Sequence, residues 1–149
     1  MAIFKHILLA TDFGESSNQA LRVATELASQ FEAKLTLVHI WEFPRYGYTE
    51  SLPVPVDYLD EISNGAEACM AETVASIKEQ CPNARSVVKM GNIGDEVLKT
   101  VEEERPDLLV VGTHGRRGLK RAVLGSVAEK LVRTSPVPVL TVHGKAPEH

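Results

Sequence analysis

Cysteine is scarce: Cys69 and Cys81 are the only two in 149 residues. Two thiols make no disulfide framework, and Cys69 falls within an apolar helical stripe, where it reads as a small buried hydrophobe. No apolar run approaches the roughly 20 residues of a membrane-spanning helix. No signal peptide is expected, because Met1-Ala2-Ile3-Phe4-Lys5-His6 leads straight into the first strand. The expected compartment is the cytoplasm, whose reducing conditions disfavour a disulfide. Strong charge of one sign is missing too. A net charge of −4 gives no general pull toward nucleic acid or an anionic membrane. The five histidines have no zinc spacing, and no dedicated metal cage is visible. No internal repeat or linker divides the chain.

What remains is an ordinary globular composition, 44% hydrophobic and 24% charged. The length suits one domain with a sizeable core. The expected domain covers residues 1–144, with 145–149 as a mobile tail. The most informative stretch runs from Asp107 to Val132. Leu108-Leu109-Val110-Val111 reads as a strand buried on both faces of a parallel sheet. A glycine-rich basic loop follows, and a helix begins at Gly125-Ser126. Glycines let backbone N–H groups approach a ligand, and a helix N-terminus adds unpaired donors and partial positive charge. Spacing alone leaves two readings open, a phosphate cradle or a plain turn. The loop is not a Walker A sequence, and Gly112, Gly115 and Gly118 do not make the dinucleotide fingerprint. Arg116, Arg117, Lys120 and Arg121 are either a solvated basic loop or, for one or two of them, phosphate contacts.

In chain order, Ile7 to Ala10 reads as a first strand ending at Thr11-Asp12-Phe13-Gly14. Ser16 and Gln19 match a capping box, and Ala20, Leu21, Ala24, Leu27, Ala28 and Phe31 follow a helical period. Asp12 ends the strand where open α/β sheets gather ligand groups, although a cap or turn former fits the position as well. Leu35 to Ile40 is a second strand, with His39 expected to be structural. Trp41 to Pro55 is an irregular excursion, either a variable surface loop or a flap. A long helix follows from about Val56 to Gln80, its stripe including Leu59, Ile62, Ala66, Cys69, Thr73 and Ile77, supported by Met70 and Val74. Ser86 to Met90 is a third strand suited to an edge. A helix then runs from Ile93 toward Pro106. Ser126 and Glu129 match a second capping box, with Val127, Ala128, Leu131 and Val132 on the buried side. Val137 to Val142 closes the chain as an edge strand. This alternation predicts a single-domain α/β fold, an open five-stranded parallel sheet with helices on both faces.

Gly112-x2-Gly115-x9-Gly125-Ser126 matches the G-x2-G-x9-G-S/T signature of the ATP-binding branch of the universal stress protein family. Ile7 to Phe13, the strand ending Val38-His39-Ile40, and Pro136 to Val142 are also similar to that family, so the resemblance spans Lys5 to Val142. It implies a Rossmann-like fold of the adenine nucleotide α-hydrolase type, with strand order 3-2-1-4-5. It implies adenosine contacts from Ala10, Thr11, Asp12 and the main chain of Ile40. Phosphate contacts would come from Gly112, Thr113, His114, Gly115, Arg116, Arg117, Gly125, Ser126 and Val127. ATP is the implied ligand, with Mg2+ or Mn2+ able to bridge its phosphates. Relatives dimerise through the last strand, here Val137 to Val142. Ala128 stands where the family often has a hydroxyl residue.

The expected activity is binding, with slow hydrolysis at most, because no carboxylate beside Ser126 clearly serves as a base. A nucleotidyl-transfer enzyme would need a phosphate motif after strand 1 that Ala10 to Gly14 does not supply. A phospho-receiver domain would need an aspartate ending strand 3 and a lysine ending strand 5, and neither is present. The nearer rival is a stress protein that works through protein contacts without a nucleotide.

Overall fold

The computed structural model describes residues 3–44, 50–113 and 124–144. Nine elements alternate: β1 (His6–Ala10), α1 (Glu15–Phe31), β2 (Lys34–Trp41), α2 (Val56–Ile77), β3 (Arg85–Met90), α3 (Ile93–Glu104), β4 (Leu108–Gly112), α4 (Ser126–Thr134) and β5 (Val139–Val142). All pairings are parallel, and the sheet order is β3-β2-β1-β4-β5, as expected.

The two-residue alternation of a strand splits the apolar runs between two cores. Ile7 and Leu9 of β1, Leu35 and Leu37 of β2, and Leu108 and Val110 of β4 face one side. There they meet Ala20, Ala24 and Ala28 of α1 with Met70 and Ile77 of α2. Leu8, Val38, Ile40, Leu109 and Val111 face the other side, against Val97 and Val101 of α3 and Leu131 of α4. Runs apolar at every position are therefore what a strand sandwiched between helix layers requires. Leu8, Leu9, Leu37 and Leu109 have no exposed surface. Truncating one such leucine to alanine costs about 2–5 kcal/mol, a large part of a domain's stability of about 5–15 kcal/mol.

Several local expectations are corrected. Cys69 is exposed and Cys81 buried, because α2 turns Ala66, Met70 and Ile77 inward. Met70, four residues beyond Ala66, takes the inward position that the stripe had assigned to Cys69. Val132 is 47% exposed, whereas Ala128 and Leu131 of α4 are buried as expected. Neither capping box forms. α1 starts on Gly14 and α4 on Gly125, with no side-chain cap on either. Ser16 and Ser126 lie inside the first turns, and Glu129 bonds Arg133 one turn on. The last strand begins at Val139, after Pro138. α3 alone has a side-chain cap among these, with Asn92 Oδ1 accepting the Asp95 N–H at 3.0 Å. No described helix is long and apolar enough to cross a membrane.

At the amino end of the sheet, Thr36 is fully buried and its Oγ1 lies 2.8 Å from His6 Nε2. Burial holds the His6 pKa below its ordinary value, and Glu104 partly opposes the shift. The folded state thus binds this proton more weakly than the unfolded chain does. His6 contributes stability above the unfolded pKa of about 6.5, and that stability is lost as pH falls through it toward the lower native value. We expect the thermal midpoint to fall on acidification from about pH 7.5 to about pH 5.5, and His6→Gln to flatten part of that slope. Equal slopes in the two proteins would refute this role.

Candidate functional site

β1 and β4 are neighbours, with Ala10 opposite Val111. From β1 the chain continues to one side of the sheet, to β2 and β3, and from β4 to the other, to β5. Their carboxyl ends therefore open a crevice at the point where the strand order reverses, the place where open parallel sheets bind ligands. Thr11 to Gly14 leaves from one strand and Gly112-Thr113 from the other.

The β1–α1 turn is closed on itself. The Thr11 N–H donates to Val38 O at 3.0 Å, extending the strand ladder by one residue. The Asp12 N–H donates to Ser17 Oγ at 3.1 Å, and the Phe13 N–H to Thr11 Oγ1 at 3.2 Å. Asp12 Oδ1 accepts the Gly14 N–H at 2.8 Å and the Ser17 hydroxyl at 2.7 Å. Phe13 carries a φ of 65°, in the left-handed region that glycine usually occupies. The three amides of Asp12, Phe13 and Gly14 are thus all spent within the turn. The carboxylate of Asp12 is held at the crevice with Oδ1 doubly bonded, and among the described residues Oδ2 is the oxygen left to accept from a ligand.

The β4–α4 side is arranged differently. Thr113 is buried, and its N–H donates to Val142 O at 2.9 Å. The Gly125 N–H donates to Thr113 O at 2.7 Å, which returns the chain to the strand it left. α4 then begins with Ser126 exposed and with a glycine as its N-cap. A glycine supplies no side-chain oxygen for the first-turn amides, so the N-cap residue itself leaves them uncapped.

α1 packs its first turn against both strand ends. A Cβ at Gly112 would lie 2.8 Å from the Ser16 carbonyl carbon and 2.9 Å from Ser16 Cβ. A Cβ at Gly144 would lie 3.2 Å from the Ser16 N. Gly112 is thus required by close approach, and its φ is ordinary.

The expected residues divide into three groups. Ala10, Thr11, Asp12, Gly112, Thr113, Gly125 and Ser126 converge on the crevice ends of β1, β4 and α4. Ile40 and Val127 turn their side chains into the second core, leaving only main-chain atoms to face a ligand. His114, Gly115, Arg116 and Arg117 lie outside the described residues. Sequence reasoning passed over Ser17, which holds Asp12, and Ser16, which fills the notch at Gly112. The available signal was a pair of serines at positions that continue the buried alanine face of α1. Among the described residues, no group of three or more His, Cys, Asp or Glu side chains could hold a metal.

Comparison with known proteins agrees with this architecture. The family model described as the universal stress protein family matches residues 3–143. The chain is 33% identical over 141 residues to universal stress protein A homolog 1 of Coxiella burnetii, covering 93% of this chain and 96% of that one. The structure of universal stress protein UspA from Lactobacillus plantarum superposes with a TM-score of 0.82 at 23% identity, covering 93% of this chain and 97% of that one. A universal stress protein in complex with cAMP superposes with a TM-score of 0.72 at 23% identity, over 95% of this chain and 98% of that one.

The steric notch gives a direct test. Gly112→Ala should destabilise by about 1–3 kcal/mol, read as a lower urea midpoint at unchanged slope. Gly65, in α2, has nothing within 4 Å of an added Cβ. Gly65→Ala should therefore be neutral or stabilising by up to about 1 kcal/mol. Equal effects of the two changes would remove the notch from the account.

Proposed function

The chain belongs to the universal stress protein family, and on that premise we propose that it binds an adenine nucleotide, ATP by preference, as a nucleotide-dependent module of the stress response. The observation that carries this reading is the unequal use of backbone donors across the crevice. The turn around Asp12 has its amides filled internally, and it offers a carboxylate. That is a site for the hydroxyl and amino groups of adenosine, with the main chain of Ile40 beside it. The first turn of α4, like that of α1, has a glycine N-cap with no side-chain bond, and it offers amides and dipole. That is a site for phosphate. The nucleotide therefore lies with adenosine toward β1 and β2, and phosphates along Gly112, Gly115, Gly125 and Ser126. Arg116 or Arg117 adds charge-assisted bonds, and Thr113, His114 and Val127 complete the wall. That a relative of the same fold was solved with cAMP is in keeping with an adenine ligand. Mg2+ or Mn2+ would ride on the phosphates.

The protein acts by holding the nucleotide. Asp12 is tied into its own turn, and Glu129 bonds Arg133, so neither serves as a base for water. Turnover near the enzyme median of about 10 per second would overturn this view. Nucleotide extracted from the purified protein should be identified by mass as an adenine nucleotide, and Mg-ATP titrated by calorimetry. Gly115→Val combined with Ser126→Ala should weaken binding at least tenfold, about 1.4 kcal/mol. A wild type that takes no adenine nucleotide would leave a stress protein working through protein contacts.

The second element of the proposal is a homodimer through β5. The carbonyls of Pro138 and Val142 face β4. By the two-residue alternation, Val139 and Thr141 carry their backbone groups to the open edge. Pairing there leaves the crevice at the carboxyl ends free, and fits a protein of the cytoplasm that passes nucleotide state to a partner. Thr141→Pro would remove an outward donor while leaving the β4 ladder in place. Sedimentation should show dimer for the wild type and monomer for the variant, and a monomeric wild type rejects the interface.

A further inference from the structure

His39 sits on β2 opposite Val88 of β3, and its side chain points to the α1 face of the sheet. Its Nδ1 lies 2.8 Å from the carbonyl oxygen of Thr11. A carbonyl oxygen only accepts, so Nδ1 carries the proton in this contact. Its ring packs on Phe13 with centroids 4.4 Å apart and planes tilted by 36°. Thr11 precedes Asp12 and Phe13 follows it. One imidazole therefore grips the chain on both sides of the carboxylate that faces the crevice.

Each grip has a local need behind it. Thr11 lies one residue beyond β1, where its part-buried carbonyl takes the imidazole N–H, and a carbonyl withdrawn from water without a partner is costly. Phe13 holds a left-handed backbone at φ 65°, which a bulky residue keeps only when its surroundings impose it. The imidazole meets both needs at once. It adds to the bonds by which the Ser17 hydroxyl and the Gly14 N–H close on Asp12 Oδ1.

We propose that His39 is a positioning residue of the nucleotide site: its Nδ1–H bond to Thr11 and its ring contact with Phe13 set the course of Thr11 to Gly14, and so the direction in which Asp12 is presented to adenosine. This rests on the nucleotide reading given above. The role is carried by a second element of the sheet, so the β1–α1 turn is formed before ligand arrives, and affinity gains from that preorganisation.

The test uses the full chain with two substitutions. His39→Phe keeps a ring against Phe13 and loses the donor. His39→Asn keeps an N–H close to the place of Nδ1 and loses the ring. Mg-ATP affinity is measured by calorimetry, global stability by urea unfolding, and hydrogen exchange of the Asp12, Phe13 and Gly14 amides by NMR without ligand. His39→Phe should weaken Mg-ATP about tenfold and speed exchange at those amides by a similar factor, as one lost hydrogen bond allows. His39→Asn should restore both to within about threefold of wild type. Wild-type affinity in His39→Phe overturns the proposal. So does a loss in both variants that only follows their global stability, because that is a structural role. A wild type that binds no Mg-ATP overturns the nucleotide reading itself, and the ligand-free exchange then still decides whether His39 sets the turn.

Discussion

The pairing of β1 with β4 is the constraint on which the other contacts depend. The two strands belong to opposite ends of the chain. At their amino ends the Asp107 carboxylate accepts the N–H groups of Lys5 and His6, the first of them 102 positions away. At their carboxyl ends Ser16 fills the space where Gly112 has no side chain. Between these pins, Leu8 and Leu9 lie beside Leu109 and Val110, all without exposed surface. Loop-closure entropy grows only slowly with length, so burial of this apolar ladder can hold distant segments together. The outer strands add to an arrangement this junction has already set.

The same junction explains why the candidate site is polar in two different ways. A parallel sheet directs every crossover helix with its N-terminus toward the strand carboxyl ends. The helices differ in how those ends are capped. α3 spends Asn92 on its first turn, while α1 and α4 begin on glycine. At α1 the nearby polar groups, Asp12, Ser17 and Thr11, have turned inward to satisfy one another. At α4 the N-cap Gly125 has no side chain to take that part. On the proposed reading, backbone satisfaction, more than overall charge, separates an accepting end of the crevice from a donating one.

Much of this was legible before any contact was known. Apolar runs at every position announced buried strands, and the switch to a helical period announced the crossovers. Asp12 and Gly112 stood at strand ends, and the glycine spacing singled out Gly125-Ser126. The failures share one cause. Cys69 and Met70 are both acceptable on an apolar stripe, and only the direction of α2 over the sheet turns Met70 inward. Ser126 and Glu129 have the spacing of a capping box, yet the bond from Gly125 to Thr113 draws the helix start one residue ahead. His39 was expected to be structural, and its contacts with Thr11 and Phe13 agree; which residues it meets was hidden, because they come from another strand's end.

Periodicity, proline placement and glycine spacing are properties of neighbours in the chain, and they determined the order of elements and their layering, and marked where a site could lie. Adjacency is a property of distant residues brought together. Only the tertiary structure decided that Gly112 is small because Ser16 approaches it and that His39 reaches across from β2. The physical reason is range. Backbone propensity acts within a few residues, whereas steric notches and shared hydrogen bonds exist only once strands separated by most of the chain lie side by side.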